Sequence, residues 1–177
     1  HCRRDLKLDI IYPEAQDGAT YPCILWICGG AWLMMDKSAH NLYLSRLAGS
    51  GFVVASVEYR TSNQGPYPMP LQDVKAAIRY LKAHADRFRI NKEKMGVMGE
   101  SAGGYLACMA ALDNDSSLDV GEYLEESSKV QAACPWYPPT DLSAFPCESA
   151  EQCASSAESL LLGFNSKRNR EIGRAHV

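Results

Sequence analysis

Apolar residues recur along this chain in two rhythms. Leu6–Tyr12 alternates apolar and polar before Pro13, the pattern of a half-exposed strand. Cys23–Cys28 is apolar without a break, as in a strand covered on both faces. Phe52–Val57 and Met95–Met98 read as further buried strands, and Val130–Cys134 as a last one. Between them runs a longer period. Leu71, Val74, Ile78, Leu81 and Ala85 recur at helical spacing behind Pro70, which suits a first helical turn because it has no N–H to leave unpaired. Helices are also predicted over Ser38–Ala48, from Ser101 to about Asp113, and over Ala150–Leu162. Asp17-Gly18 marks a turn, and Thr61–Met69 is a loop broken by Gly65-Pro66 and Pro68. Strands and helices that alternate in this way predict one α/β domain with a mostly parallel sheet flanked by helices.

The bulk properties narrow the chemistry. At 177 residues the chain is long enough for a single core, and its net charge of -3 gives no electrostatic reason to hold nucleic acid or an anionic membrane. The basic residues are scattered, with one small cluster at Lys167, Arg168 and Arg170 that a solvated surface explains. No apolar run reaches the length of a membrane span. The seven cysteines lack a CxxC pair and lie largely in apolar segments, so they are expected to be free, buried thiols in a reducing, cytoplasmic compartment. A Cys147–Cys153 disulfide is the alternative, disfavoured on compartment usage. A zinc site fails for want of ligand spacing. The chain opens on His1 rather than Met. Its end, Ile172–Val177, resembles the translation of a common sequencing adapter, so residues 1–171 are read as an incomplete domain and 172–177 as a non-native tail.

The chemistry-bearing signal is Gly99-Glu100-Ser101-Ala102-Gly103-Gly104, a G-x-S-x-G pattern set between a predicted strand and a predicted helix. That setting suits a nucleophile elbow, in which a strained turn lifts a serine to the tip of a strand and a helix N-terminus favours negative charge. A second glycine loop, Cys28-Gly29-Gly30-Ala31-Trp32, ends the second strand and can offer bare backbone donors to an oxyanion.

With Val57-Glu58-Tyr59-Arg60, Leu71-Gln72-Asp73 and Arg89-Ile90-Asn91, these segments resemble the α/β-hydrolase superfamily, in its esterase/lipase branch of acetyl-xylan and feruloyl esterase-like (BD-FAE-like) proteins. The resemblance runs from about Leu6 to Leu142. It implies an α/β-hydrolase fold with its C-terminal part missing, Ser101 as nucleophile, and the N–H of Ala102 as one oxyanion donor. Gly30 and Ala31 would supply the other donors. It implies a small-molecule or carbohydrate-linked ester as substrate, with no metal and no cofactor. The family commonly carries His where this chain has Cys28, and a third glycine where it has Ala31. Trp32 and the Tyr67–Pro70 region are candidate pocket residues, with plain packing as the competing reading.

A serine needs a base and an orienting carboxylate, which in this fold follow it in the order Ser, acid, His. After Ser101 the one histidine is His176, inside the suspected tail; His1, His40 and His84 come earlier. His84 is expected to serve the end of its helix, and Asp141 to belong to a loop. The acid and base are therefore expected outside this chain, which by itself should be inactive or nearly so. Two other readings stay open. A prolyl-oligopeptidase-type peptidase shares fold and elbow, but the early glycine loop favours an esterase. A noncatalytic binding scaffold would not need the intact Gly-Glu-Ser-Ala-Gly-Gly.

Overall fold

A computed structural model describes residues 5–14, 18–113, 116–146 and 148–163. The predicted alternation is present. Strands β1 (Leu8–Ile11), β2 (Tyr21–Ile27), β3 (Val53–Val57), β4 (Ile90–Glu100) and β5 (Ala132–Trp136) form one sheet in the order β1-β3-β2-β4-β5. β1 is antiparallel to β3, and every other pairing is parallel.

Alternation along each strand sorts the core into two layers. Cys23, Leu25 and Ile27 of β2 face the same layer as Val53, Ala55 and Val57 of β3 and Met95 and Val97 of β4. Helices α2 (Met69–Ala83) and α4 (Ser101–Leu112) close that layer. Trp26, Val54 and Met98 face the opposite way, under Leu44 and Ala48 of α1 (Asn41–Gly49). The predicted stripe of Leu71, Val74, Ile78 and Leu81 is fully buried, and Ala85 opens a separate short helix, α3 (Ala85–Phe88).

Several boundaries differ from the sequence-based expectation. α1 starts at Asn41 because Ser38 is engaged in a turn, its N–H and Oγ both donating to Asp36 Oδ1. The predicted helix over Ala150–Leu162 is split into α5 (Ala150–Ala154) and α6 (Ala157–Leu162). Ser156 caps α6 by accepting from the Ser159 N–H at 3.2 Å, a local bond that competes with a continuous helix. β4 begins well before Met95, at Ile90.

The basic residues, read from sequence as scattered, include an ordered buried set on α2. Lys75, Arg79 and Lys82 repeat at helical spacing and are buried, Arg79 completely. Lys75 Nζ reaches Asp113 Oδ2 at 2.7 Å, and Arg79 binds Asp119 at 2.6 Å and the Val120 carbonyl at 2.5 Å. Lys82 Nζ donates to the carbonyls of Ser127 and Lys129. These cations satisfy the backbone of an irregular segment that would otherwise have to be hydrated.

Cys23, Cys28, Cys108 and Cys134 are free thiols, as expected, but of these Cys108 is half-buried and Cys134, on the edge strand, is exposed rather than buried; Cys153 is disulfide-bonded. The free-thiol expectation fails there because composition carries no information about which sulfurs meet in space. Cys2 and Cys147 lie outside the described residues, as do His1, His176, the cluster at 167–170 and the 172–177 segment.

Candidate active site

The two central strands end side by side, with Ile27 of β2 paired to Gly99 of β4. The turn that follows β4 is extremely tight. Ser101 is the first residue of α4 and takes φ 50, a left-handed conformation costly for a residue with a Cβ. The glycines that flank it are set by clearance. A Cβ on Gly103 would lie 2.1 Å from the Ile27 carbonyl oxygen, and one on Gly99 would lie 2.5 Å from that of Gly103. Backbone is packed on backbone, which is why the serine is held at the strand tip.

The glycine loop after β2 lies against this elbow. A Cβ built on Gly29 would sit 3.2 Å from Ser101 Cβ. Gly30 has φ 126, and its carbonyl accepts from the Leu33 and Met34 N–H groups at 3.0 and 3.1 Å. Ala31 and Trp32 follow with φ 52 and 57, so Ala31 takes the left-handed conformation that its replacement of glycine makes costly. Among the described residues, no acceptor takes the N–H of Gly30, Ala31 or Ala102. The arrangement thus brings Ser101 and Ala102 of the elbow together with the loop that holds the other two candidate donors, Gly30 and Ala31.

Residues outside the two glycine motifs hold that loop. The buried Tyr59 hydroxyl donates to the Cys28 carbonyl at 3.0 Å, and the Ser62 N–H donates to the Trp32 carbonyl at 2.8 Å. Arg60 grips Asp73 through its backbone N–H, Nε and a terminal nitrogen, at 2.7–3.1 Å. This fork holds the Arg60 guanidinium above its ordinary pKa, since the charged form is the one hydrogen-bonded. The Val57–Arg60 and Leu71–Asp73 segments are thereby one device that braces the glycine loop. Burial pushes the Cys28 thiol up to about 11, so it packs as a neutral group.

Trp32 is 2% exposed and meets Tyr105 of α4 edge-on at 5.4 Å, so its indole packs the loop onto the elbow helix. Asp141 accepts from the Ser143 N–H and Oγ at 2.9 and 2.6 Å, within its own turn. His84 Nδ1 lies 2.9 Å from the Tyr80 carbonyl at the end of α2. His40, set aside on chain order, is brought next to the elbow, where its Nε2 is 3.3 Å from Glu100 Oε1. Its position N-terminal to α1, whose side of the sheet carries Trp26, was not readable from any motif. Among the described residues, no hydrogen bond links a histidine to Ser101.

The profile of the BD-FAE family matches residues 8–176. The chain belongs to the BD-FAE family, in the α/β-hydrolase esterases. It is 36% identical to the probable carboxylic ester hydrolase LipM of Mycobacterium tuberculosis over 128 residues, which is 71% of this chain and 29% of LipM. Its fold is similar to a bifunctional GH43-CE protein of Bacteroides eggerthii, with a TM-score of 0.83 and 32% identity over 92% of this chain and 23% of that one. A truncated carbohydrate esterase from gut microbiota superposes with a TM-score of 0.80 at 30% identity, over 94% of this chain and 62% of its own. The chain spans about a quarter to a third of the length of curated relatives it matches, 29% in the case of LipM.

Proposed function

We propose that this BD-FAE chain carries the nucleophilic half of a serine carboxylic ester hydrolase that acts on small-molecule or carbohydrate-linked esters. The observation that carries this reading is Ser101 at φ 50 on the tip of β4, with the Gly29–Gly30 loop lying against it. Ser101 Oγ adds to the ester carbonyl carbon, and the N–H groups of Gly30, Ala31 and Ala102 receive the oxyanion. Collapse breaks the carbon–oxygen bond to the alcohol, which leaves with the serine's proton. Water then adds to the acyl-enzyme, releases the carboxylic acid and returns a proton to Oγ. The N-terminus of α4 favours the negative charge that develops there. The names of LipM and of the carbohydrate esterase relatives support both the reaction and the substrate class.

Proton transfer in both steps calls for a base. Downstream of Ser101 the sequence has one histidine, His176, which lies outside the described residues. The test is kinetic. The product of the complete open reading frame should hydrolyse p-nitrophenyl acetate and an acetylated oligosaccharide, and Ser101→Ala should lower kcat by about a thousandfold or more. Turnover that survives Ser101→Ala would refute the assignment.

A further inference from the structure

Glu100 ends β4 one residue before the proposed nucleophile, and each of its carboxylate oxygens has a side-chain partner. Oε2 accepts the Tyr137 hydroxyl and Oε1 lies 3.3 Å from His40 Nε2. Tyr137 directly follows β5 and has φ 35, and the residue is 66% exposed although its hydroxyl is tied down. His40 directly precedes α1, with its ring 5.2 Å from that of Trp26. Trp136 meets Trp26 and Tyr43 edge-on, at 5.7 and 5.4 Å, and so joins the segments on either side of Glu100. One carboxylate therefore links three segments at the same end of the sheet: the elbow, the segment before α1 and the segment after β5.

This carboxylate is also close to the reacting region. The position a Cβ would take on Gly29 is 3.2 Å from Ser101 Cβ and 3.5 Å from Glu100 Oε1. Behind burial and the influence of neighbouring groups, the Glu100 charge adds to the upward shift of both Cys28 and Tyr59, so its field reaches the glycine loop. A bare carboxylate there would oppose an oxyanion. Engagement by two partners is what makes its presence compatible with the site.

We propose that Glu100 is a positioning residue: by gripping Tyr137 on one side and His40 on the other, it fixes the segments that flank Ser101 and sets where the ester lies against the nucleophile. This rests on the reading of Ser101 as an esterase nucleophile. An error in placement harms the transition state more than ground-state binding, so the effect belongs in kcat.

The experiment compares Glu100→Ala, Glu100→Gln and Tyr137→Phe in the complete protein, with kcat and KM measured on p-nitrophenyl acetate. Glutamine can still accept from Tyr137 and donate to His40, and it removes the charge. Glu100→Ala is expected to lower kcat by about 30-fold with KM within about threefold, Glu100→Gln to restore kcat to within about threefold of the parent, and Tyr137→Phe to fall between. Equal impairment of the alanine and glutamine variants would overturn the proposal, because charge rather than placement would then be the cause. Parental kcat in Glu100→Ala would overturn it as well. Should the alanine variant fail to fold, an unchanged kcat in Tyr137→Phe overturns it, and a reduced kcat in Tyr137→Phe beside a near-parental one in Glu100→Gln supports it. An inactive parent, or a Ser101→Ala variant as active as the parent, defeats the esterase reading itself and is told apart by that control.

Discussion

The ends of β2 and β4 and the outer strand β5 lie at the same end of one sheet, yet they are built by different rules. At the centre, contacts are backbone against backbone: Gly103 leaves 2.1 Å between a would-be Cβ and the Ile27 oxygen. At the edge, Ala132, Ala133 and Cys134 are exposed, and the segment beyond is held by side chains, through Tyr137 on Glu100 and Trp136 on Trp26. Ser101, the proposed nucleophile, thus rests on contacts that admit few residue types, whereas its surroundings rest on polar and aromatic links that substitution can tune.

The sharpest way to break this contrast is a methyl group. Gly103→Ala forces a Cβ into the Ile27 and Cys28 carbonyls and is expected to cost more than about 3 kcal/mol or to prevent folding. Gly49→Ala, with nothing within 4 Å of its Cβ, should change stability by no more than about 1 kcal/mol and toward greater stability. Urea unfolding of the pair measures the difference, and similar midpoints would contradict the close-packed elbow.

Next in size is the brace. Asp73→Ala leaves Arg60 without its fork and frees the glycine loop from α2. A loss of about 2 kcal/mol is expected, held below the value for a fully buried pair because the Arg60 side chain is 31% exposed. Esterase activity in the complete protein should fall with it, since the loop carries two of the three donors.

The smallest effect is on pH. Burial raises Cys28 from its ordinary 9.0 to about 11, and Cys23 to about 12. Because the folded values are the higher ones, the unfolded chain releases these protons first as pH rises. Their contribution to stability is complete below about pH 9 and declines as pH climbs through 11. Cys28→Ser should flatten that decline in thermal melts at alkaline pH, while Cys134→Ser, on the exposed edge, should leave it unchanged.

Much of this organisation was legible because it depends on local pattern. The strands at Cys23–Cys28 and Phe52–Val57, the α2 stripe and the elbow at Ser101 follow from periodicity and from glycines whose spacing has a steric cause. The brace was half visible: Val57–Arg60 and Leu71–Asp73 stood out as segments, but no periodicity says that Arg60 and Asp73 meet. The Lys75, Arg79 and Lys82 stripe had a readable helical spacing, yet charge argues for solvent unless the carbonyls and carboxylates facing it are known. His40 and Tyr137 converge on Glu100 from distant parts of the chain, a juxtaposition that only the sheet order creates. A disulfide at Cys153 stood only as the disfavoured alternative, because compartment usage says nothing about which sulfurs meet in space.

The most direct test is to trap the covalent intermediate. The complete protein, mixed with p-nitrophenyl acetate and quenched in acid within the first turnover, should carry an acetyl group on the peptide containing Ser101 when digested and sequenced by mass spectrometry. No such adduct should form in Ser101→Ala. An active enzyme that yields an acetyl group on another residue, or none on Ser101 under conditions that show a burst of nitrophenol, would contradict Ser101 as the nucleophile.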